Sequence, residues 1–163
     1  MEVVESVVAL VLATAIIVAG LMLTYPYIRT RQAEQRLEAG KRIAYSLANS
    51  IEGVVASGVG ASLTLSIVLP DDIVVIYGNN SVNIVVMNAP RYERNVTLSN
   101  LSITYVTLQP STDKIILSVY LKRGWNLTMT GLASSGRQNY VTIDYYYYNT
   151  TSHVGYIRIN WGG

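Results

Sequence analysis

Ser6 to Ile28 reads SVVALVLATAIIVAGLMLTYPYI, 23 residues without a charge, preceded only by Met1-Glu2-Val3-Val4-Glu5. At roughly 1.5 Å per residue such a segment reaches about 34 Å as a helix, enough to cross the hydrocarbon of a bilayer. A helix apolar all round must be covered by lipid, by a protein core or by copies of itself, and the function depends on which. A removable secretory signal would carry a basic leading region, an apolar run of about 7 to 15 residues and a small-x-small cleavage site. Here the leading residues are acidic, the run is longer and the sequence continues as helix, so the segment is expected to stay on the working protein.

Glu2 and Glu5 are the only charges before Arg29. A carboxylate held inside an apolar layer costs several kcal/mol unless a cation pairs with it. No cation lies within helical reach in the same chain, but a free α-amino group at Met1 of a neighbouring copy would serve Glu5. The alternative places both carboxylates at headgroup level, where the positive end of the helix dipole favours them by up to ~1 kcal/mol. Ala9 and Ala13, then Ala15 and Ala19 beside Gly20, recur at the four-residue spacing that lets helix backbones approach closely in an apolar medium.

Orientation signals conflict. Arg29, Arg31, Arg36, Lys41 and Arg42 follow the apolar run, and the positive-inside rule would keep the rest of the chain in the cytoplasm. Asn79, Asn95, Asn100, Asn126 and Asn149, however, each open an Asn-x-Ser/Thr triplet, and none occurs earlier. With this Ser and Thr content about two would arise by chance, so the excess points to a glycosylated external domain. A short basic leader preceding Met1, holding the N-terminus inside until cleaved, would reconcile the two signals.

Beyond Ile28 the pattern becomes amphipathic. Ala33, Leu37, Gly40, Ala44, Leu47, Ile51 and Val54 recur at alternating four- and three-residue steps, an apolar stripe down one side of a helix. The stripe fits packing on a C-terminal domain or a coiled-coil seam, and its small members Ala33, Gly40 and Ala44 suit close approach to a sheet. Pro26 is expected to bend the helix, and Gly53, Gly58 and Gly60 to mark its end.

From Ser62 the period is two. Leu63, Leu65, Ile67 and Leu69 alternate with Ser and Thr, and Pro70-Asp71-Asp72 turns the chain into Ile73–Tyr77. Further strands are expected at Val82–Met87, Asn95–Leu98, Leu101–Leu108, Ile115–Leu121, Leu127–Leu132, Tyr140–Tyr148 and Val154–Trp161. The fold class is therefore α+β: a long N-terminal helix over residues 1–57, apolar in its first half and amphipathic in its second. It packs on an outer domain, residues 62–163, built as an antiparallel β-sandwich or curled β-sheet.

This arrangement resembles the type IV pilin family, and most closely its archaeal adhesion pilins in mature form. The matching features are an apolar helix from the first residue, Glu5, the amphipathic continuation past Pro26, and the β-rich C-terminal domain. The match is at motif level over residues 1 to about 55 and architectural beyond. The resemblance implies that a prepilin peptidase removes a basic leader and that the helix waits in the membrane as a precursor. An assembly ATPase and a membrane platform protein then drive extraction into a helical homo-oligomeric filament, with Glu5 paired to the free N-terminus at Met1 of the adjacent subunit. Met1 and Glu5 on this resemblance, Ala9 and Ala13 by their spacing and Pro26 at the bend are the expected assembly residues, and the sequons make Asn79, Asn95, Asn100, Asn126 and Asn149 the expected sites of N-linked glycans. With no cysteine the chain lacks the disulfide-closed loop of many bacterial pilins, which together with the sequons suggests an archaeal member.

Other chemistry is sparse. A net charge of +2 makes no electrostatic case for nucleic acid. The single histidine, His153, lies in a turn-like context; Asp71-Asp72 reads as a turn and lacks metal-loop spacing; and the glycines from Gly53 to Gly60 precede a strand, where a phosphate-binding loop would precede a helix. No enzyme, metal or cofactor is expected. After residue 52 there are 12 charged residues against 31 Ser, Thr and Asn, a neutral polar surface suited to close subunit packing, to a sugar coat or simply to an external domain of low charge. Tyr145–Tyr148 would place two rings on each face of one strand. An outward pair would stack on a neighbouring subunit or a glycan, unless the strand is covered on both faces within its own domain.

The expected function is that of a major pilin, an extracellular filament subunit for surface adhesion. The alternatives are a subunit of an archaeal swimming filament and a membrane-anchored surface receptor or adhesin.

Overall fold

The structure, a computed structural model, describes residues 2–162, with the side chains of Glu2, Val3 and Glu5 outside the described set. The fold is α+β. One helix, α1 (Glu2–Ala56), is followed by nine strands: β1 (Ser62–Val68), β2 (Ile73–Gly78), β3 (Ser81–Met87), β4 (Val96–Asn100), β5 (Thr104–Pro110), β6 (Lys114–Leu121), β7 (Trp125–Thr130), β8 (Gln138–Asn149) and β9 (Val154–Gly162).

The helix continues through Pro26. Nearby hydroxyls bond back along it, Thr24 Oγ1 donating to Gly20 O at 2.9 Å and Thr30 Oγ1 to Pro26 O at 3.0 Å. It ends where Gly58 takes a φ of +97° and donates its N–H to Val55 O at 3.0 Å, the left-handed closure that glycine adopts without strain. Gly53, by contrast, is still helical.

The strands form two sheets, one in the order β1-β8-β9-β7 and the other β2-β3-β6-β5-β4. The apolar stripe of α1 lies against both: it contacts β3, β5 and β6 of the five-stranded sheet and β1 and β8 of the four-stranded one. Leu37, Ala44, Leu47, Ile51 and Val54 are buried in one cluster with Val86, Val106 and Leu117 from one sheet and Val141, Ile143 and Ile159 from the other. The stripe is thus a docking face on the sheets, and its small members matter there. A Cβ on Gly40 would lie 2.6 Å from Val86 Cγ2 and 2.9 Å from Leu117 Cδ1, so only glycine permits this approach.

The expectation of antiparallel pairing holds for every strand pair except β7 with β9, which run parallel. The topology requires this, because β9 returns from the β8–β9 hairpin and inserts between β8 and β7. The β7–β8 connection must therefore cross the end of β9. It passes so close that a Cβ on Gly131, whose φ is +77°, would sit 2.0 Å from Trp161 O. For this reason β7 stops at Thr130 and does not continue to Leu132. At the start of β8 Asn139 is fully buried and pins this connection, its amide donating to Ser134 O and Arg137 O and its Oδ1 accepting from Ser134 N.

The start of β5 also differs from expectation, Thr104 in place of Leu101. Glu52 of α1 takes the intervening backbone: its Oε1 accepts from Ile103 N and Thr104 N, both at 2.8 Å, and from Thr104 Oγ1 at 2.9 Å. A half-exposed ion pair, Arg36 Nε to Asp72 Oδ2 at 2.7 Å, ties the opposite end of the docked helix to the β1–β2 turn.

The outward face of the four-stranded sheet is held by polar pairs, three of them neutral and one to the Asp144 carboxylate. Thr64 meets Thr142 at 3.0 Å, Ser62 donates to Asp144 at 2.6 Å, Gln138 to Ser66 at 2.7 Å and Thr130 to Asn160 at 2.5 Å. The Ser, Thr and Asn excess of the sequence is therefore largely a strand-face pattern, with hydroxyls facing out and aliphatics facing in.

Candidate functional site: the uncovered half of the helix

The two halves of α1 differ in what covers them. From Ser6 to Gln32 every side chain is exposed, with Ile16 at 71% and Leu23 at 79%, whereas Leu47 and Ile51 are at 0%. The cause is geometric: a continuous helix rises about 1.5 Å per residue, so its first half extends tens of ångströms beyond the domain on which its second half is docked. Among the described residues no side chain from Ser6 to Ile28 is buried. The segment is long and apolar enough to cross a membrane, and none of its most apolar window is buried.

Of the residues assigned to assembly, Ala9 and Ala13 are exposed on this rod and Pro26 lies inside the helix where the apolar run gives way to charge. Met1 and the Glu5 side chain lie outside the described residues. At the junction, sequence spacing left two contacts unnoticed. The Arg29 guanidinium lies 5.4 Å from the centroid of the Tyr25 ring and that of Arg31 lies 5.3 Å from Tyr27. Both are Tyr-to-Arg pairs four residues apart on a helix, a spacing readable in advance, and together they form a collar of the aromatic and cationic type that suits an apolar–aqueous boundary.

The sequons are distributed over the β domain. Asn79 lies in the β2–β3 turn, Asn95 before β4, Asn100 at the end of β4 and Asn126 on β7, all exposed. Asn149 is half-buried at the end of β8, where its Oδ1 accepts from Thr151 N at 3.0 Å and Ser152 N at 3.1 Å.

The tyrosine run divides differently from simple alternation. A register shift between Tyr145 and Tyr147 bulges the strand, so that Tyr145 pairs with Ile157 and Tyr147 with Tyr156. Tyr145 turns inward, tilted against Trp125 with ring centroids 5.4 Å apart, and burial raises its phenol pKa above the ordinary value. Tyr146 and Tyr147 both face outward and both meet the Tyr156 ring, at 6.3 and 5.6 Å. Tyr148 is exposed as well, so three of the four rings lie outside the core and only Tyr145 lies within it.

His153 is an exposed turn residue with a φ of 53°, its Nδ1 3.4 Å from the Tyr148 hydroxyl. Among the described residues no cluster of His, Asp and Glu could hold a metal ion. No protein-family model matches the chain, and neither a curated protein nor a solved structure matches it.

Proposed function

We propose that the chain is the structural subunit of an extracellular, type IV pilus-like filament, polymerising through the apolar half of α1 and serving surface adhesion. The observation that carries this reading is the contrast within one helix, whose second half docks its apolar stripe on the β domain while the described side chains of its first half are exposed. Identical rods packed side by side would bury roughly 20 apolar side chains per subunit. At about 1.5 to 3 kcal/mol each relative to water, that gives tens of kcal/mol, an upper bound that accounts for a persistent fibre.

Relative to lipid the gain is far smaller, since hydrocarbon already covers the rod. Assembly from a membrane-held precursor therefore needs a powered machine, the assembly ATPase and platform protein of the pilin family, after processing by its peptidase. The β domain then faces outward, where its low charge adds little repulsion between copies and its four exposed sequons are accessible to N-linked glycans.

Electron microscopy of material sheared from the producing cells tests the reading. Fibres that contain this chain and survive mild detergent are the expected result. Release by detergent as single particles carrying lipid would instead identify a membrane-anchored receptor. Fibres whose loss abolishes swimming but not attachment would identify a swimming filament.

A further inference from the structure

We infer that Asn126 carries a glycan whose first sugar packs on the tyrosine platform formed by Tyr147 and Tyr156, with Tyr146 and Arg158 at its edge. The inference rests on the reading of the β domain as an N-glycosylated external surface, and it selects one sequon and one docking face within it.

Strand register supplies the juxtaposition. Asn126 on β7 is the Cα partner of Tyr156 on β9, and Tyr156 is in turn the partner of Tyr147 on β8. Paired residues project from the same side of a sheet with Cβ atoms about 4.5 to 5.5 Å apart, so Asn126 opens a row that continues directly into two aromatic rings. All three belong to the outward face: Leu127 and Ile157, next in the chain to Asn126 and Tyr156, are buried, and Tyr147, beyond the register shift that separates it from buried Tyr145, is exposed. The bulge adds Tyr146 to the same patch, and the Arg158 guanidinium covers its ring at 5.2 Å while also bonding Asp144 Oδ2 at 3.3 Å. Tyr146 and Tyr147 remain 42% and 51% exposed, an unusual outlay of aromatic area on an otherwise hydroxyl-rich face.

A pyranose suits this surface. One of its faces is lined by C–H groups that lie flat on an aromatic ring, and its hydroxyls match tyrosine hydroxyls, a guanidinium and a carboxylate at the rim. β7 is the edge strand of its sheet, and although Asn80 and Tyr77 bond the backbone of Trp125 and Leu127 along that edge, the Asn126 side chain between them is exposed. The other sequons lack such a neighbour in the ladder: Asn100 pairs with Tyr105, but that ring is already stacked on Tyr120 at 4.9 Å, and Asn149 pairs with Val154.

Trypsin cleavage after Arg123 and Arg137 releases residues 124–137, whose only sequon is Asn126. Mass spectrometry of this peptide from the full chain purified from its native cells should show it glycosylated; an unmodified peptide overturns the inference. The packing is tested by thermal melts of the full glycosylated chain. Asn126→Gln, which removes the sequon, should lower Tm by ~2–4 °C. In a Tyr147→Ala/Tyr156→Ala background the same change should have no effect. An equal drop in both backgrounds would show an occupied sugar that does not use the platform, leaving the tyrosines to a neighbouring subunit. Occupancy and melting are read on the chain whether or not it forms fibres, so failure here is distinct from failure of the filament reading.

Discussion

The carboxamide of Asn80 does for Leu127 what a neighbouring strand would do: its Oδ1 accepts from Leu127 N at 2.8 Å while its Nδ2 donates to Trp125 O at 2.9 Å. Tyr77 completes the clasp, its hydroxyl donating to Leu127 O at 2.6 Å. β7 is an edge strand, and an unpaired edge invites pairing with another chain. Here the β2–β3 turn of the opposite sheet closes that edge and at the same time joins the two sheets.

Removing this clasp should destabilise the domain in a graded way. Asn80 has a φ of 55°, so Asn80→Gly relieves the backbone but loses the hydrogen bonds, with an expected loss of about 1–2 kcal/mol. Asn80→Ala adds a left-handed backbone cost of roughly 1 to 2 kcal/mol. Urea unfolding of the two variants checks the order; equal stabilities would mean that backbone strain plays no part.

Two glycines in the same helix should respond oppositely to alanine. At Gly40 the added methyl collides with Val86 and Leu117, and overpacking costs typically about 1 to 3 kcal/mol, more than the helix-propensity gain of at most ~1 kcal/mol. At Gly53 a Cβ would meet nothing within 4 Å, so Gly53→Ala should stabilise by roughly 0.5 to 1 kcal/mol. Thermal melts of both variants should move Tm in opposite directions.

Glu52→Gln preserves size but presents a neutral oxygen to three donors at once. Hydrogen bonds to a charged acceptor are about twice as strong as neutral ones, so a loss of about 1–2 kcal/mol is expected. Amide hydrogen exchange should quicken at Ile103 and Thr104 before it does in the core; uniform quickening would argue against a local clamp.

Alkaline pH should expose the burial of Tyr145. Its folded pKa is raised, so the neutral phenol is favoured in the fold and the unfolded chain releases its proton first. This contribution is intact below pH about 10 and is lost as pH rises through the folded value. Tyr145→Phe should flatten that part of the stability–pH curve, measured by denaturant midpoints between pH 9 and 11. An unchanged slope would assign the alkaline loss to other groups.

On the proposed filament reading, Glu5→Ala should lower filament yield while leaving membrane insertion intact, because that reading uses the carboxylate only to pair a neighbouring amino group. Shearing yield compared with membrane-fraction abundance separates the two. Normal yield would remove Glu5 from assembly.

Much of the fold was legible because it is written in local periodicity. The uncharged run, the four-and-three stripe from Ala33 to Val54 and the period of two from Ser62 each specify an element from residues adjacent in sequence. Leu63, Leu65 and Ile67 share the inward face with Ile143 and Val141, as their alternation requires. The uncovered half of the helix was legible on the same basis, since it needs only an absence of charge over 23 residues.

Partner choice belongs to the tertiary structure alone. That β9 inserts between β8 and β7, that Glu52 reaches Thr104 across 52 residues, and that a bulge turns Tyr147 out beside Tyr146 all depend on which edges meet. The first two join segments far apart in the chain and the third is a register shift within a hairpin, and none of the three leaves a repeat in the sequence. Periodicity fixes which face of an element is apolar; only packing decides which other face it meets.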